Sequence, residues 1–411
     1  MPRRAVITGL GVVSPIGLGR EAFRASLAAG ASGVHRFRLF DPTGLPTEFG
    51  GEIEELDAAC YLDKKERKQL KLMPRTVQLA VAASKLAVAD ARLAIEPGRL
   101  GFVMGTGIIP GELTDLGPPG RACLDDATGR INMAKWGREG MAMMPPTWML
   151  NHVPNMPASH AAILLDAQGP NNTITQYDAA ALMAAGEALR VVQSGRADAM
   201  ITGGTDTRTG IISIVRHSLF TPLARHEDPA RACRPFDAAR TGQVLAEGAG
   251  VMVLEERGHA LARGAAVLAE VVGYSAAFDL RRDGSGLVRA IHGALREAEA
   301  TPNDLDHVNA HAGGLPDDAR EARALGEAVP RVPVLALKGH MGNAGNGASV
   351  LELAASILAL AGDNVPVSLN CPKPDGPVAP VREPRRIRKP FVLKVAMTNR
   401  GHCAALVLKG G

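Results

Sequence analysis

The stretch of this 411-residue chain richest in possible chemistry is Gly169-Pro-Asn-Asn-Thr-Ile-Thr-Gln-Tyr-Asp178-Ala. The β-branched run Thr173, Ile174, Thr175 predicts a buried strand. The small and apolar residues 179–189 predict a buried helix. The turn between them sets Asp178 at a helix N-terminus, facing backbone N–H groups and the positive end of the dipole. That position suits a nucleophile, because it stabilises a thiolate or an oxyanion. A carboxylate placed there acts as a base that stays ionised or as a plain N-cap.

Three further groupings stand out. Lys64, Lys65, Arg67 and Lys68 form a compact basic cluster ahead of an Ala-rich helix expected over residues 75–91; its plain reading is a solvated helix face. Glu247 directly precedes an apolar run, so it needs a partner if buried. Met133, Met141, Met143, Met144 and Met149 gather in the least regular part of the chain, residues 110–146 and just beyond. Methionines adapt to irregular apolar space; core or dimer packing accounts for them as readily as a ligand channel.

The elements that must position these groups read as alternating strands and helices. Residues 5–17, 100–107 and 197–204 each read as a buried strand running into a glycine-containing turn; a further hydrophobic strand is expected in the run from Glu247 to Glu255 and another at 267–274, with a helix near 286–298. Such alternation predicts an α/β protein with a parallel or mixed sheet. The opening strand runs into glycines, but their spacing does not give a dinucleotide loop. Aromatic residues are 3% of the chain and the net charge is +4, which argues against a nucleic-acid platform. Five cysteines, at 60, 123, 233, 371 and 403, show no CxxC pair, so neither a disulfide framework nor a zinc site is expected. With no 18-residue apolar run and no visible signal peptide, the expectation is a cytoplasmic protein without a membrane span.

The turn at Asp178 resembles the nucleophile turn of β-ketoacyl-acyl-carrier-protein synthases, in the thiolase superfamily. Arg234-Pro-Phe-Asp237-x-x-Arg240-x-Gly242-x-x-x-x-Glu247-Gly-Ala-Gly250 is the most specific match, and matched motifs run from Ala5 to Leu408. The resemblance implies a thiolase-like fold: two similar strand–helix halves, divided here at 1–256 and 257–411, forming a layered α-β-α-β-α core. It also implies that a Cys belongs where Asp178 stands. Asn309-Ala-His311 matches the family's first catalytic-His strand. Lys338 and Gly342 match the pattern Lys-x-x-x-Gly-His, which puts Asn343 at the second His position. Asn399-Arg-Gly-His402-Cys403 replaces the family's Phe- and Gly-rich oxyanion loop.

What the resemblance implies for function follows from those replacements. A carboxylate cannot exchange thioesters, and Asp178 would repel a malonyl carboxylate unless a cation intervenes. Ordinary condensation by this chain alone is not expected. The leading expectation is a non-condensing subunit, similar in kind to a chain-length factor, that partners an intact ketosynthase in fatty-acid or polyketide assembly. Alternatives are an acyl-thioester hydrolase or dehydratase using Asp178 and His311, and a scaffold that binds carrier protein. The family places carrier-protein docking at Lys64, Lys65, Arg67 and Lys68, and an acyl channel near Met133, Met144 and Met149. Asn399, His402 and Cys403 would line the substrate site, Glu247 would be structural, and the chain would form a homodimer or a heterodimer. No cofactor or metal is implied.

Overall fold

The structure is a computed structural model that describes residues 3–411. Its centre is one twelve-stranded mixed sheet. In chain order the principal strands are β1 (Ala5–Ser14), β2 (Leu100–Gly105), β3 (Asn171–Ile174), β4 (Ala199–Thr207) and β5 (Glu247–Glu256), followed by β6 (Ala269–Phe278), β7 (Leu305–Asn309), β8 (Pro333–Leu335), β9 (Phe391–Met397) and β10 (His402–Gly410). Across the sheet they run β8-β7-β9-β10-β6-β1-β5-β4-β2-β3.

That order contains the same pattern twice. From the centre outward, β1 lies antiparallel to β5 and β5 antiparallel to β4, while β4, β2 and β3 are parallel. Likewise β6 lies antiparallel to β10 and β10 antiparallel to β9, while β9, β7 and β8 are parallel. The two units join where Ala5–Ile7 pair with Ala269–Val271. This is the duplicated, layered α/β architecture of a thiolase-like ketosynthase fold. No repeat is visible between the halves in sequence, because strand order and direction are kept by pattern and burial rather than by residue identity.

Helices pack on both sides of this frame. The helices α1 (Arg75–Ala91), α2 (Ala180–Gln193), α3 (Ile211–Ser218), α4 (Ser285–Glu297), α5 (Asp318–Ala328) and α6 (Ala348–Leu360) matter most for the site. Helices α2 and α6 are the inner ones: residues 348–359 of α6 are all buried, and both share one core with β1, β5 and β10. Alanines and glycines allow such close approach. A Cβ on Gly186 of α2 would stand 2.2 Å from the ring of Tyr274 on β6, which is why small residues are so frequent here.

One strand differs from expectation. β3, which carries the chain into Asp178, is not buried: Asn171 and Asn172 are exposed, and Thr173 and Ile174 half-buried. It ends the sheet with a neighbour on one side only, so its β-branched residues pack on a single face.

Candidate active site

The approach to Asp178 is a tight turn. Tyr177 has φ +52°, the left-handed region rarely adopted by non-glycine residues. A single 3₁₀ turn, Tyr177–Ala179, then leads into α2. The strand–turn–helix expected from sequence is therefore present, but Asp178 does not cap the helix. Its carboxylate faces side chains instead of the α2 amides.

One carboxylate oxygen accepts a hydrogen bond from Arg208 Nη2, and the other accepts from Asn343 Nδ2 at 3.0 Å. Its main-chain carbonyl accepts from Ser349 Oγ of α6 at 2.8 Å. Arg208 follows directly after β4, and its Nε also donates to Asp206 Oδ2 at 3.2 Å. Asp206 is further held by the backbone and side-chain amides of Asn346, at 3.2 and 2.9 Å. Asn343 Nδ2 bridges onward to Gln243 Oε1 at 3.0 Å.

The charge balance follows from this wiring. Burial works to raise the Asp178 carboxyl, but the Arg208 guanidinium beside it wins and holds it well below the usual carboxylate range. Burial works against the charge on Arg208, and the carboxylates of Asp178 and Asp206 more than restore it. The cation needed beside Asp178 is thus supplied by the chain itself.

His311 lies just after β7. Its backbone N–H donates to Glu321 Oε1 at 2.7 Å. Burial, then the nearby Lys338 ammonium, hold the imidazole well below its ordinary 6.5, so it is neutral. Its Nδ1 is enclosed and has no hydrogen-bond partner among the described residues. Lys338 sits behind it, fully buried, donating to the His311 carbonyl oxygen and to Glu352 Oε1 at 2.6 Å. Lys394 on β9 grips the other Glu352 oxygen. Burial pushes Glu321 up to about 7.

Asp178, Arg208, His311, Asn343 and Asn399 line one cavity of about 310 Å³, with Tyr177, Arg216, Phe220 and Arg400 also on its wall. That volume is at the small end for an organic ligand site. The Arg400 guanidinium lies 6.0 Å from the centre of the Tyr177 ring, which stacks on His402 at 6.5 Å.

The chain matches the family described as "Beta-ketoacyl synthase, N-terminal domain" over residues 3–260, and "Beta-ketoacyl synthase, C-terminal domain" over residues 264–372. The chain belongs to the β-ketoacyl synthase family. It is 34% identical to "3-oxoacyl-[acyl-carrier-protein] synthase 2" of Synechocystis sp., covering 99% of this chain and 98% of that one. Among solved structures, "The ishigamide ketosynthase/chain length factor" superposes with a TM-score of 0.86 at 28% identity, covering 100% of both chains. A type II PKS acyl-carrier protein in complex with its ketosynthase bound to the hexaketide, AntDE:AntF, gives a TM-score of 0.83 at 25% identity, again over 100% of both chains.

This family member departs from several placements expected from its sequence. Met133 and Met149 are exposed and Met144 half-buried, and none of them lines the cavity. Lys338 is behind the cavity wall and not on it. His402 supports Tyr177 from outside, and Cys403 is fully buried within β10, its thiol pushed up to about 12 by burial. None of the five cysteines lines the cavity. Glu247 is buried and accepts from Arg75 at 2.8 and 3.0 Å and from the Ile53 amide at 2.8 Å. Lys64, Lys65, Arg67 and Lys68 all face solvent. Sequence reasoning missed Arg208; its one available signal was an arginine directly after a buried strand, where an ionised group must find partners.

Proposed function

We propose that this chain is a non-condensing, ketosynthase-like subunit of fatty-acid or polyketide assembly. It works beside an intact β-ketoacyl synthase on acyl-carrier-protein thioesters, in the manner of a chain-length factor. In this reading Asp178 stands at the nucleophile position and Asn343 at the second histidine position. The observation that carries it is the Asp178–Arg208 pair: the residue at the head of α2 is a carboxylate with both oxygens occupied, and no thiol reaches the cavity. Acyl transfer needs a free nucleophile, and none lines the cavity in that form.

The same pairing weighs against an Asp178–His311 acid–base enzyme. A carboxylate whose proton affinity is depressed by the guanidinium beside it makes a poor general base. The Synechocystis relative and the ketosynthase–carrier neighbour support the assembly-line context, and the ketosynthase/chain length factor neighbour supports the partnered role.

Two surfaces fit this role. Lys64, Lys65, Arg67 and Lys68 offer an exposed cationic patch for an acidic carrier protein. The exposed Met133, Met141, Met143, Met149, Leu150 and Ile163, with the open edge at β3, suit a subunit interface more than a tunnel wall. We divide the chain functionally into halves at 1–256 and 257–411.

The test supplies acyl- and malonyl-carrier protein and follows CO2 and carrier-bound products by mass spectrometry. The protein alone should give no ketoacyl product, and a cognate ketosynthase should restore elongation in a stable complex. Ketoacyl product from the chain alone would overturn the proposal.

A further inference from the structure

Arg208 has three guanidinium nitrogens and the protein uses two. Nε donates to Asp206 and Nη2 to Asp178. Nη1 has no partner among the described residues, yet it is not one of the enclosed polar atoms, so it opens on the cavity that Arg208 lines. The residue as a whole is 8% exposed. A guanidinium this buried does not leave both N–H groups of Nη1 without a partner at no cost. The space it occupies is also reserved for it: a Cβ on Gly345 would lie 2.0 Å from Asp206 Oδ2 and 2.4 Å from Arg208 Nε. Arg208 is held in place by contacts on three sides, with its free edge facing the void.

His311 presents a second donor to the same void. Its Nδ1 is enclosed and unpartnered, whereas Nε2 is not enclosed and makes no protein hydrogen bond. A neutral imidazole carries one proton. Placing it on Nε2 lets it meet a ligand and leaves only a lone pair, not an N–H, stranded at Nδ1.

We propose that Arg208 is a ligand-binding residue: its Nη1 and His311 Nε2 form a two-donor receptor for the uncharged β-keto oxygen of a carrier-bound β-ketoacyl chain. The inference rests on the non-condensing reading and adds the class of acyl group. A carbonyl is favoured over a carboxylate by charge. The single guanidinium already serves two carboxylates, Asp178 and Asp206, so it has no unmatched positive charge to offer a third. Arg216 and Arg400 lie at its exposed rim, where water and salt screen them. A further carboxylate would meet repulsion at the floor, whereas a β-keto oxygen meets donors.

The probes are N-acetylcysteamine thioesters of three acyl groups: acetoacetyl, butyryl and malonyl. Acetoacetyl and malonyl have nearly the same shape and differ in charge; acetoacetyl and butyryl differ in the keto oxygen. Binding to the whole protein is measured by calorimetry or ligand-observed NMR. Acetoacetyl should bind about tenfold tighter than butyryl, the size of one hydrogen bond to a charged donor, and tighter than malonyl by a similar factor. The D178N/R208M double variant removes both charges of the pair together, and its acetoacetyl preference should fall to near one. If that variant loses its fold by circular dichroism, R208K decides: lysine keeps the charge but lacks the free second arm, and it too should lose the preference. Equal binding of acetoacetyl and butyryl, tightest binding of malonyl, no binding of any probe, or a preference that survives in the folded variant would overturn the proposal. The measurement needs no partner and no turnover, so its failure is separable from failure of the partner-subunit reading.

Discussion

Removing Arg208 tests the central electrostatic argument most directly. In R208M, the Asp178 carboxylate keeps only its contact from Asn343, and Asp206 keeps its amide donors from Asn346 and Thr207. The side chains of Asp178 and Arg208 are 15% and 9% exposed, so the lost attraction is little screened. Breaking a buried pair by deleting one partner typically costs about 3–5 kcal/mol, because the other charge is stranded. D178N is milder: Arg208 keeps Asp206, and Asn still accepts from it, so about 1–3 kcal/mol is expected. In the double variant no charge is stranded at position 178, and its cost should fall short of the sum by about 1–3 kcal/mol. Urea unfolding of the four proteins at pH 7 gives this coupling. A pH arm fixes its cause. Because the folded Asp178 carboxyl lies below its ordinary 3.8, its contribution is present above that value and lost as pH falls through the folded one. The gap between wild type and D178N should therefore be full at pH 5 and narrow only below about pH 4. Costs that add to within about 0.5 kcal/mol, or an R208M cost under about 1 kcal/mol, would refute the reasoning.

Other expectations follow from neighbouring contacts. D178C places a thiol beside Arg208, which favours the thiolate; peptide mapping after brief iodoacetamide treatment should find position 178 alkylated ahead of the buried Cys123, Cys233, Cys371 and Cys403. Glu321 behaves oppositely to Asp178: with its carboxyl raised by burial to about 7, it favours the fold below its ordinary 4.5 and that advantage is lost as pH rises through 7. E321Q should accordingly gain melting temperature relative to wild type at pH 8 but not at pH 4.5, and an equal shift at both would remove the case for a raised Glu321. Reversing Lys64, Lys65, Arg67 and Lys68 to glutamate should leave the melting temperature unchanged, since all four are exposed. It should slow carrier-protein association at low salt, with the difference shrinking as salt rises.

How much of this was readable in advance depended on the range of the interaction. Helix α1 was read from its alanine-rich composition at about its observed bounds, and the turn at Asp178 from the strand-like and helix-like runs on either side of it, because both are local. β3 was misjudged as buried because β-branched residues report a pleated surface, not the number of neighbouring strands. The partner of Glu247 was required by physics but could not be named: Arg75 is 172 residues away.

The site shows the same boundary more sharply. Asp178 read as an N-cap because the nearest donors in sequence are the α2 amides. The structure prefers Arg208, thirty residues on, at the exit of β4. That choice depends on β4 and β3 both flanking β2, which brings the two loop ends to one side of the sheet. Only sheet order settles it. The methionines illustrate the converse: clustering in sequence suggested a shared wall, but residues 133–149 form short helical turns on which Met133, Met141, Met143 and Met149 are exposed. Even Gly345, an unremarkable glycine in a Gly-Asn-Gly run, takes its meaning from Arg208 and Asp206 packed against it, with φ +54° and no room for a Cβ. Changing it to alanine should push the guanidinium off Asp178, so the carboxylate, the arginine and the glycine act as one unit whose parts lie 30 to 167 residues apart in the chain.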